Sequence, residues 1–224
     1  LWGESNRSRL DPFSRLVEKV RELMAEPTIR SLIEERVGEF REMRWRGTLD
    51  WFKELTLCLL TANSSAESAL KALEEVGHLI YQGGAEELEG ALRKSGYRFP
   101  RSRAEYIVEA RRLLPKLKGV IEDFQAPSEA RRWLVENVRG LGWKEASHFL
   151  RNVGFLDVAI LDRHILRVMT RLGLIDEDSA SKTPRGRRYE DFEDLLRRVA
   201  RRLGLPIGAL DLYLWYSETG KVLK

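Results

Sequence analysis

Apolar residues in this chain recur at intervals of three and four, from "PFSRLVEKVRELM" near the start to "YEDFEDLLRRVARRLG" near the end. That spacing matches the 3.6-residue turn of an α-helix and not the two-residue alternation of a strand. "SLIEERVGEFREM", "SSAESALKALEEV", "AEELEGALRKSG", "RSRAEYIVEARRLL" and "SEARRWLVENV" carry it too. The starts and stops agree with it. Ser64 stands three residues before Glu67 in a capping-box pattern. Gly96 and Gly204 follow two of the runs, where glycine commonly ends a helix. One run follows Pro100, another starts at Ser128, and Pro206 takes a first helical position, where a missing N–H costs nothing. "LDWFKELTLCLLTA" is apolar almost all round, which predicts a central buried helix. The expected fold class is all-α.

Two stretches depart from the pattern. "FLDVAIL" could form a strand, but no second strand is present to pair with it, so it is predicted as an extended buried connector. "DEDSASKTPRGRRY", residues 176–189, lacks helical periodicity and reads as a polar loop carrying Lys182, Arg185, Arg187 and Arg188. No repeat at solenoid periods is visible.

Cysteine count and charge exclude several classes. The single cysteine, Cys58, lies in "LTLCLL", which rules out an internal disulfide framework and a four-cysteine zinc or iron–sulfur site. It is expected to be a small core residue. No apolar run reaches the roughly 18–20 residues that span a bilayer, and "LWGESNRSRLDPF" has no hydrophobic signal core. The expected location is cytoplasmic, with no membrane contact. A chain of 224 residues holds one large domain or two small ones. Its net charge of +4 suits a polyanionic partner, though only weakly.

The chemistry-bearing segment is "VRGLGWKEASHFL". Gly140 and Gly142 permit backbone angles and close approaches that a side chain would block. Amides at the start of the next helix could then face a phosphate. A plain glycine turn between two helices is the competing reading. In that helix Ala146, Phe149, Leu150 and Val153 form an apolar stripe, so Lys144 and His148 fall on the opposite face. Lys144 therefore faces either bulk solvent or a cleft, and His148 reads as an exposed helix histidine. Asp162 stands just before "RHILRVMTRLG", with its apolar stripe of Ile165, Leu166, Met169 and Leu172. It is expected to cap that helix by accepting from the Ile165 amide. A capped carboxylate is rigid, and a rigid carboxylate can stabilise positive charge at a fixed point. His164 reads as structural, since no second ligand is spaced to help it hold a metal.

The run Gly140-Leu141-Gly142-Trp143-Lys144-Glu145-Ala146, followed by Leu161-Asp162-Arg163-His164, resembles the helix–hairpin–helix DNA glycosylases of the endonuclease III superfamily. In them the hairpin is followed by a catalytic lysine and then a catalytic aspartate. Glu145 stands where endonuclease III relatives often have threonine, and their iron–sulfur cysteines are missing. Together with "LLTANSSA", "YRFPRSRAEYIVEAR", "VAILDRHILR" and "DLYLWYSETGKVLK", the chain is similar to the type-2 8-oxoguanine DNA glycosylases of archaea and some bacteria. The similarity covers most of the chain from about residue 30.

The resemblance implies a two-lobed helix–hairpin–helix fold. One lobe, roughly 46–156, is a helical barrel ending in the hairpin; residues 1–45 and 157–224 make the other. It implies a bifunctional enzyme that flips the lesion out of the duplex, attacks the sugar C1′ with Lys144 and cuts the strand by β-elimination from a Schiff base. Lysine is ordinarily protonated, with a pKa of about 10.4, so such a site must favour the neutral amine. Asp162 would stabilise the oxocarbenium-like sugar. Gly140 and Gly142 would grip the DNA backbone. Lys224 would lie in the base pocket, where a terminal carboxylate could accept from guanine-type N1–H and N2–H. Trp215 is a stacking surface by the resemblance, or a core tryptophan. Asn63 fills the vacated stack, or simply ends a helix. The basic residues of 182–188, with Arg197, Arg198, Arg201 and Arg202, either touch phosphates or form a solvated face. No metal or redox cofactor is required; a monovalent cation on the hairpin carbonyls, common in the superfamily, would be structural. The implied partner is duplex DNA containing 8-oxoguanine, met by a monomer at the nucleoid. An endonuclease III-like enzyme for oxidised pyrimidines, or a non-catalytic hairpin module, are the alternatives. A module of that kind needs the glycines but neither Lys144 nor Asp162.

Overall fold

The structure, a computed structural model, describes residues 10–222. Among them every regular element is helical, with fourteen α-helices, one 3-10 turn and no strand. The chain divides into two compact units. One is Phe40–Phe155; the other joins the segment ending at Glu39 to the segment beginning at Leu156. Helix α2 (Pro27–Met43) crosses the first boundary, and α1 (Pro12–Ala25) precedes it. No helix among the described residues is long and apolar enough to cross a membrane.

The Phe40–Phe155 unit is built around α3 (Thr48–Thr61). From Trp51 to Thr61 every residue of this helix except Lys53 is buried, as its all-round apolar sequence predicts. It packs against α4 (Ala66–Val76), α7 (Pro100–Ala110), α8 (Leu117–Asp123) and α10 (Trp143–Asn152). Trp51 meets Phe149 and Phe155 edge-on, at 6.1 and 6.2 Å between ring centres. A fully buried side chain such as Phe149 stabilises the unit by roughly 1.5–3 kcal/mol. Cys58 lies in this core, and burial pushes its thiol well above the usual range, so it stays protonated. The helix starts differ in detail from expectation. Ser65, not Ser64, caps α4, accepting from the Ser68 amide at 3.1 Å. The Ser64 amide instead donates to Thr61 O at 3.1 Å and closes the turn that ends α3. The remaining helices are α5 (Leu79–Gln82), α6 (Ala85–Lys94) and α9 (Pro127–Asn137).

The second unit is organised around α14 (Ile207–Thr219), buried from Ile207 to Leu214. Pro206 is its N-cap residue, one position earlier than expected. It packs against α1, α11 (Arg163–Arg171) and α13 (Gly186–Leu203). The expected loop at 176–189 is largely helical. Asp176 caps a short helix, α12 (Glu177–Ala180), accepting from the Ser179 amide at 2.6 Å. Those bonds from Ser179 hold the Asp176 carboxyl below its ordinary range. Helix α13 begins at Gly186, but of its first four residues only Tyr189 is buried. A first turn with one core contact shows no period to read.

"FLDVAIL" is the extended buried connector expected, with Val158 through Leu161 buried. A lone extended segment must still pair its backbone groups. Here side chains of α13 and α14 take the place of a second strand. The Ala159 amide donates to Glu193 Oε1 at 2.9 Å, Ile160 to Asp211 Oδ1 at 3.2 Å and Leu161 to Tyr189 Oη at 3.1 Å. Tyr189 Oη donates in turn to Ala159 O at 2.7 Å. Arg197 supports this clamp rather than standing free for phosphate. It pairs with Glu193 at 3.2 Å, with Asp157 at 3.1 Å and also with Asp194.

The clamp sets a measurable expectation. Tyr189→Phe leaves the Leu161 amide and the Ala159 carbonyl without their hydroxyl partner in a buried place. It should destabilise the fold by about 1–3 kcal/mol. Urea denaturation checks this; an unchanged midpoint would mean that the hydroxyl carries none of the connector's stability.

Candidate active site

Helix α9 leads into α10 through Val138–Gly142. Leu141 is buried and its amide donates to Val138 O at 3.1 Å, closing a tight turn. Gly140 has φ +87°, and a Cβ there would stand 2.3 Å from the Tyr106 ring. Both the backbone angle and the close approach demand glycine. Gly142 is different: its φ of −92° suits any residue, but a Cβ would lie 2.8 Å from Glu145 Oε2. Gly142 is the N-cap of α10 and offers no side-chain cap. The first amides of a helix lack intrahelical acceptors, so this end is suited to an anion. Gly140→Ala should cost about 1–3 kcal/mol through its left-handed backbone, with Tyr106 displaced in addition. Denaturation tests this; an unchanged midpoint would contradict the tight-turn reading.

Lys144 is the second residue of α10. The helix buries Ala146, Phe149, Leu150 and Val153 completely, and Lys144 lies off that stripe, its side chain 24% exposed. Its Nζ sits 3.0 Å from Glu145 Oε1. His148, expected on an exposed face, is buried. The reason is that α10 buries polar residues as well as its apolar stripe, including Ser147, Arg151 and Asn152. Asn152 donates to the buried Glu54 of α3 at 3.0 Å. Arg131 of α9, fully buried, donates to Ser147 Oγ at 3.2 Å and lies 5.3 Å from the centre of the Trp143 ring. Arg131 thus braces the turn of helix that carries Lys144, a role the sequence reading missed. One signal was available: Arg131, Leu134 and Val138 are spaced three and seven apart, so Arg131 falls on the apolar stripe of α9, where a charge needs a partner.

Asp162 caps α11, accepting from His164 N at 2.8 Å and Ile165 N at 2.9 Å. The clamped connector runs directly into it, so both sides of this carboxylate are fixed. Trp215, half-buried on α14, meets the His164 ring edge-on, 6.2 Å between centres. Asp162, His164 and Trp215 belong to one unit; Asn63, Gly140, Gly142 and Lys144 belong to the other. Asn63 is exposed just beyond α3, with φ +60°, a left-handed conformation that asparagine tolerates better than most residues. Lys182, Arg185, Arg187, Arg198, Arg201 and Arg202 are exposed, and Arg187 pairs with Asp191 at 2.9 Å. Lys224 lies outside the described residues. No group of three or more His, Cys, Asp or Glu among the described residues is placed to hold a metal ion.

A family model described as 8-oxoguanine DNA glycosylase matches residues 33–205. The chain belongs to the 8-oxoguanine DNA glycosylase family. The 8-oxoguanine DNA glycosylase/AP lyase of Korarchaeum cryptofilum is 50% identical over 196 residues, covering 88% of this chain and 92% of that one. The fold matches a Methanocaldococcus jannaschii 8-oxoguanine glycosylase/lyase, solved in complex with a 15mer DNA containing 8-oxoguanine. The TM-score is 0.88 and the identity 45%, over 93% of this chain and 99% of that one. It also matches the Thermotoga maritima 8-oxoguanine DNA glycosylase, with TM-score 0.85 and 43% identity over 95% and 100% of the two chains. The glycosylase family model spans Asn63, the hairpin glycines, Lys144 and Asp162; Trp215 and Lys224 lie beyond its matched residues.

Proposed function

We propose that this chain excises 8-oxoguanine from duplex DNA and cleaves the strand at the abasic site it creates. The observation that carries this reading is the similarity to 8-oxoguanine DNA glycosylase/AP lyases at 50% identity over 88% of the chain. In the proposed reaction the neutral Lys144 amine forms a bond to C1′ as the C1′–N9 bond breaks. The bonding pair leaves with the base, which takes up a proton. The sugar ring opens to a Schiff base. Loss of a C2′ proton then expels the 3′ phosphate by β-elimination. The bond changes balance without an oxidant or a reductant.

Geometry within each unit supports these roles. Glu145 Oε1, 3.0 Å from Lys144 Nζ, fixes the position of the lysine side chain at the start of α10. Asp162, fixed by two backbone bonds, offers a charge that need not reorganise as positive charge develops on the sugar. Gly140 and Gly142 shape the turn that would meet a phosphate. Trp215 as a stacking surface, Asn63 as the residue filling the vacated stack and Lys224 in the base pocket rest on the family resemblance. So do the barrel lobe at 46–156 with its flanking lobe, and action as a monomer on nucleoid DNA in the cytoplasm. The reading is tested with duplexes that each carry one 8-oxoguanine, one oxidised pyrimidine or no lesion. Cleavage of the 8-oxoguanine duplex alone, or far faster than the others, is expected. Preferential cleavage at the oxidised pyrimidine would overturn it in favour of an endonuclease III-like specificity.

A further inference from the structure

Between Arg163 and Arg188 the chain carries seven Lys or Arg and three Asp or Glu, a net of +4, equal to the formal net charge of the entire 224 residues. The remainder of the chain is balanced. The segment begins one residue after Asp162 and is one of several basic stretches; residues 93–103, for example, carry five Lys or Arg and no Asp or Glu.

The structure gives that charge a shape. Arg163, Arg167 and Arg171 recur every four residues along α11, and all three are exposed. With Leu166, Thr170 and, from the α12 segment, Glu177 and Ser181, they line a groove of about 530 Å³. Arg171 is steadied by Glu218 at 2.5 Å. Exposed Lys182 and Arg185 follow the groove in the chain. Acids close by have other work or weaken the field: Glu218 offsets Arg171, and Asp178 of α12 is exposed. Asp176 spends its carboxylate capping α12, and Glu177 offsets one of the three arginines.

We infer that this face takes the phosphate backbone of duplex DNA, as a contact surface separate from the hairpin. The spacing decides the class of ligand. A single phosphate or mononucleotide is held by donors converging on one point. The backbone positions of these arginines instead step along α11 by about 6 Å per four residues, the helical rise. A row of cations suits a repeating polyanion. A strand lying on it passes Asp162 at the head of the same helix, which keeps the sugar–phosphate chain beside the carboxylate. The contact is electrostatic and independent of sequence and lesion.

The inference rests on the glycosylase reading for its choice of DNA, and its test separates the two. Arg167, Lys182 and Arg185 are exposed and lie outside the proposed catalytic set. The triple variant Arg167→Gln, Lys182→Gln, Arg185→Gln is compared with the unmodified chain. Affinity for duplexes with and without 8-oxoguanine is measured against salt concentration, and single-turnover cleavage is measured at saturating protein. The variant should lose at least about tenfold in affinity, equally for both duplexes. Its log–log salt slope should shrink by about 2–3, near 0.9 per lost phosphate contact. Cleavage at saturation should be unchanged. An unaltered affinity and slope would overturn the surface, as would a loss confined to the lesion duplex. An unmodified chain that binds duplex DNA with the steep slope but cuts no lesion would sink the glycosylase reading and leave the surface standing.

Discussion

A Lys144→Gln protein should fold, bind a duplex containing 8-oxoguanine, and form no adduct under borohydride. Glutamine nearly matches lysine in reach and is a good helix former, so α10 should persist. The ion pair with the mostly buried Glu145 is lost, but the glutamine N–H can still donate to that carboxylate, so it is not left without a partner. The carboxamide nitrogen has no free lone pair to give, because it is delocalised into the carbonyl. Attack at C1′, the Schiff base and its reduction by borohydride therefore all vanish together. The loss should be complete, while the affinity for lesion DNA stays within a few-fold. An undiminished adduct in the variant would remove Lys144 from the mechanism. A lost adduct accompanied by a lost fold, seen as a collapsed thermal transition, would leave a structural role as the explanation.

Asp162→Asn separates a cap from a catalyst. Asparagine caps helices about as well as aspartate, and its carbonyl oxygen can accept the same two amides, His164 N and Ile165 N. Stability should change little, because asparagine and aspartate rank together as N-cap residues. The charge is nevertheless gone. If it stabilises the oxocarbenium-like sugar, single-turnover excision should fall by at least ~10²-fold. Near-normal excision would reduce Asp162 to its capping role. Asp162→Ala loses the cap as well and should add about 1 kcal/mol of destabilisation. The two variants together divide the structural contribution from the chemical one.

The sequence made the helices legible wherever burial follows the apolar stripe. α3 is buried along its length as its composition implies, and Asp162 caps α11 through the Ile165 amide as expected. The connector at 158–161 was legible too, because a strand-like run with no second strand has few alternatives. What supports it was not. Glu193, Asp211 and Tyr189 reach the connector across 34, 51 and 28 residues of sequence, distances at which no local period speaks. The same limit hid the brace beneath Lys144. Glu54 meets Asn152 across 98 residues, and Arg131 meets Ser147 across 16. His148 was misplaced because a helix can bury polar residues on more than its apolar face when neighbouring helices supply partners. Helix α12 and the start of α13 were read as loop because exposed first turns carry no hydrophobic signal. The candidate site itself was legible only in part. Gly140, Gly142 and Lys144 form one contiguous run, but what turned that run into a reaction was the resemblance to a family.

The most direct measurement is borohydride trapping of the unmodified chain on duplexes carrying one defined lesion each, with the adduct digested and its peptide mapped. The expected result is a covalent product on the 8-oxoguanine duplex, with the reduced sugar attached at Lys144 Nζ. No product on that duplex, a product at another residue, or a stronger product on an oxidised pyrimidine would contradict the proposed chemistry.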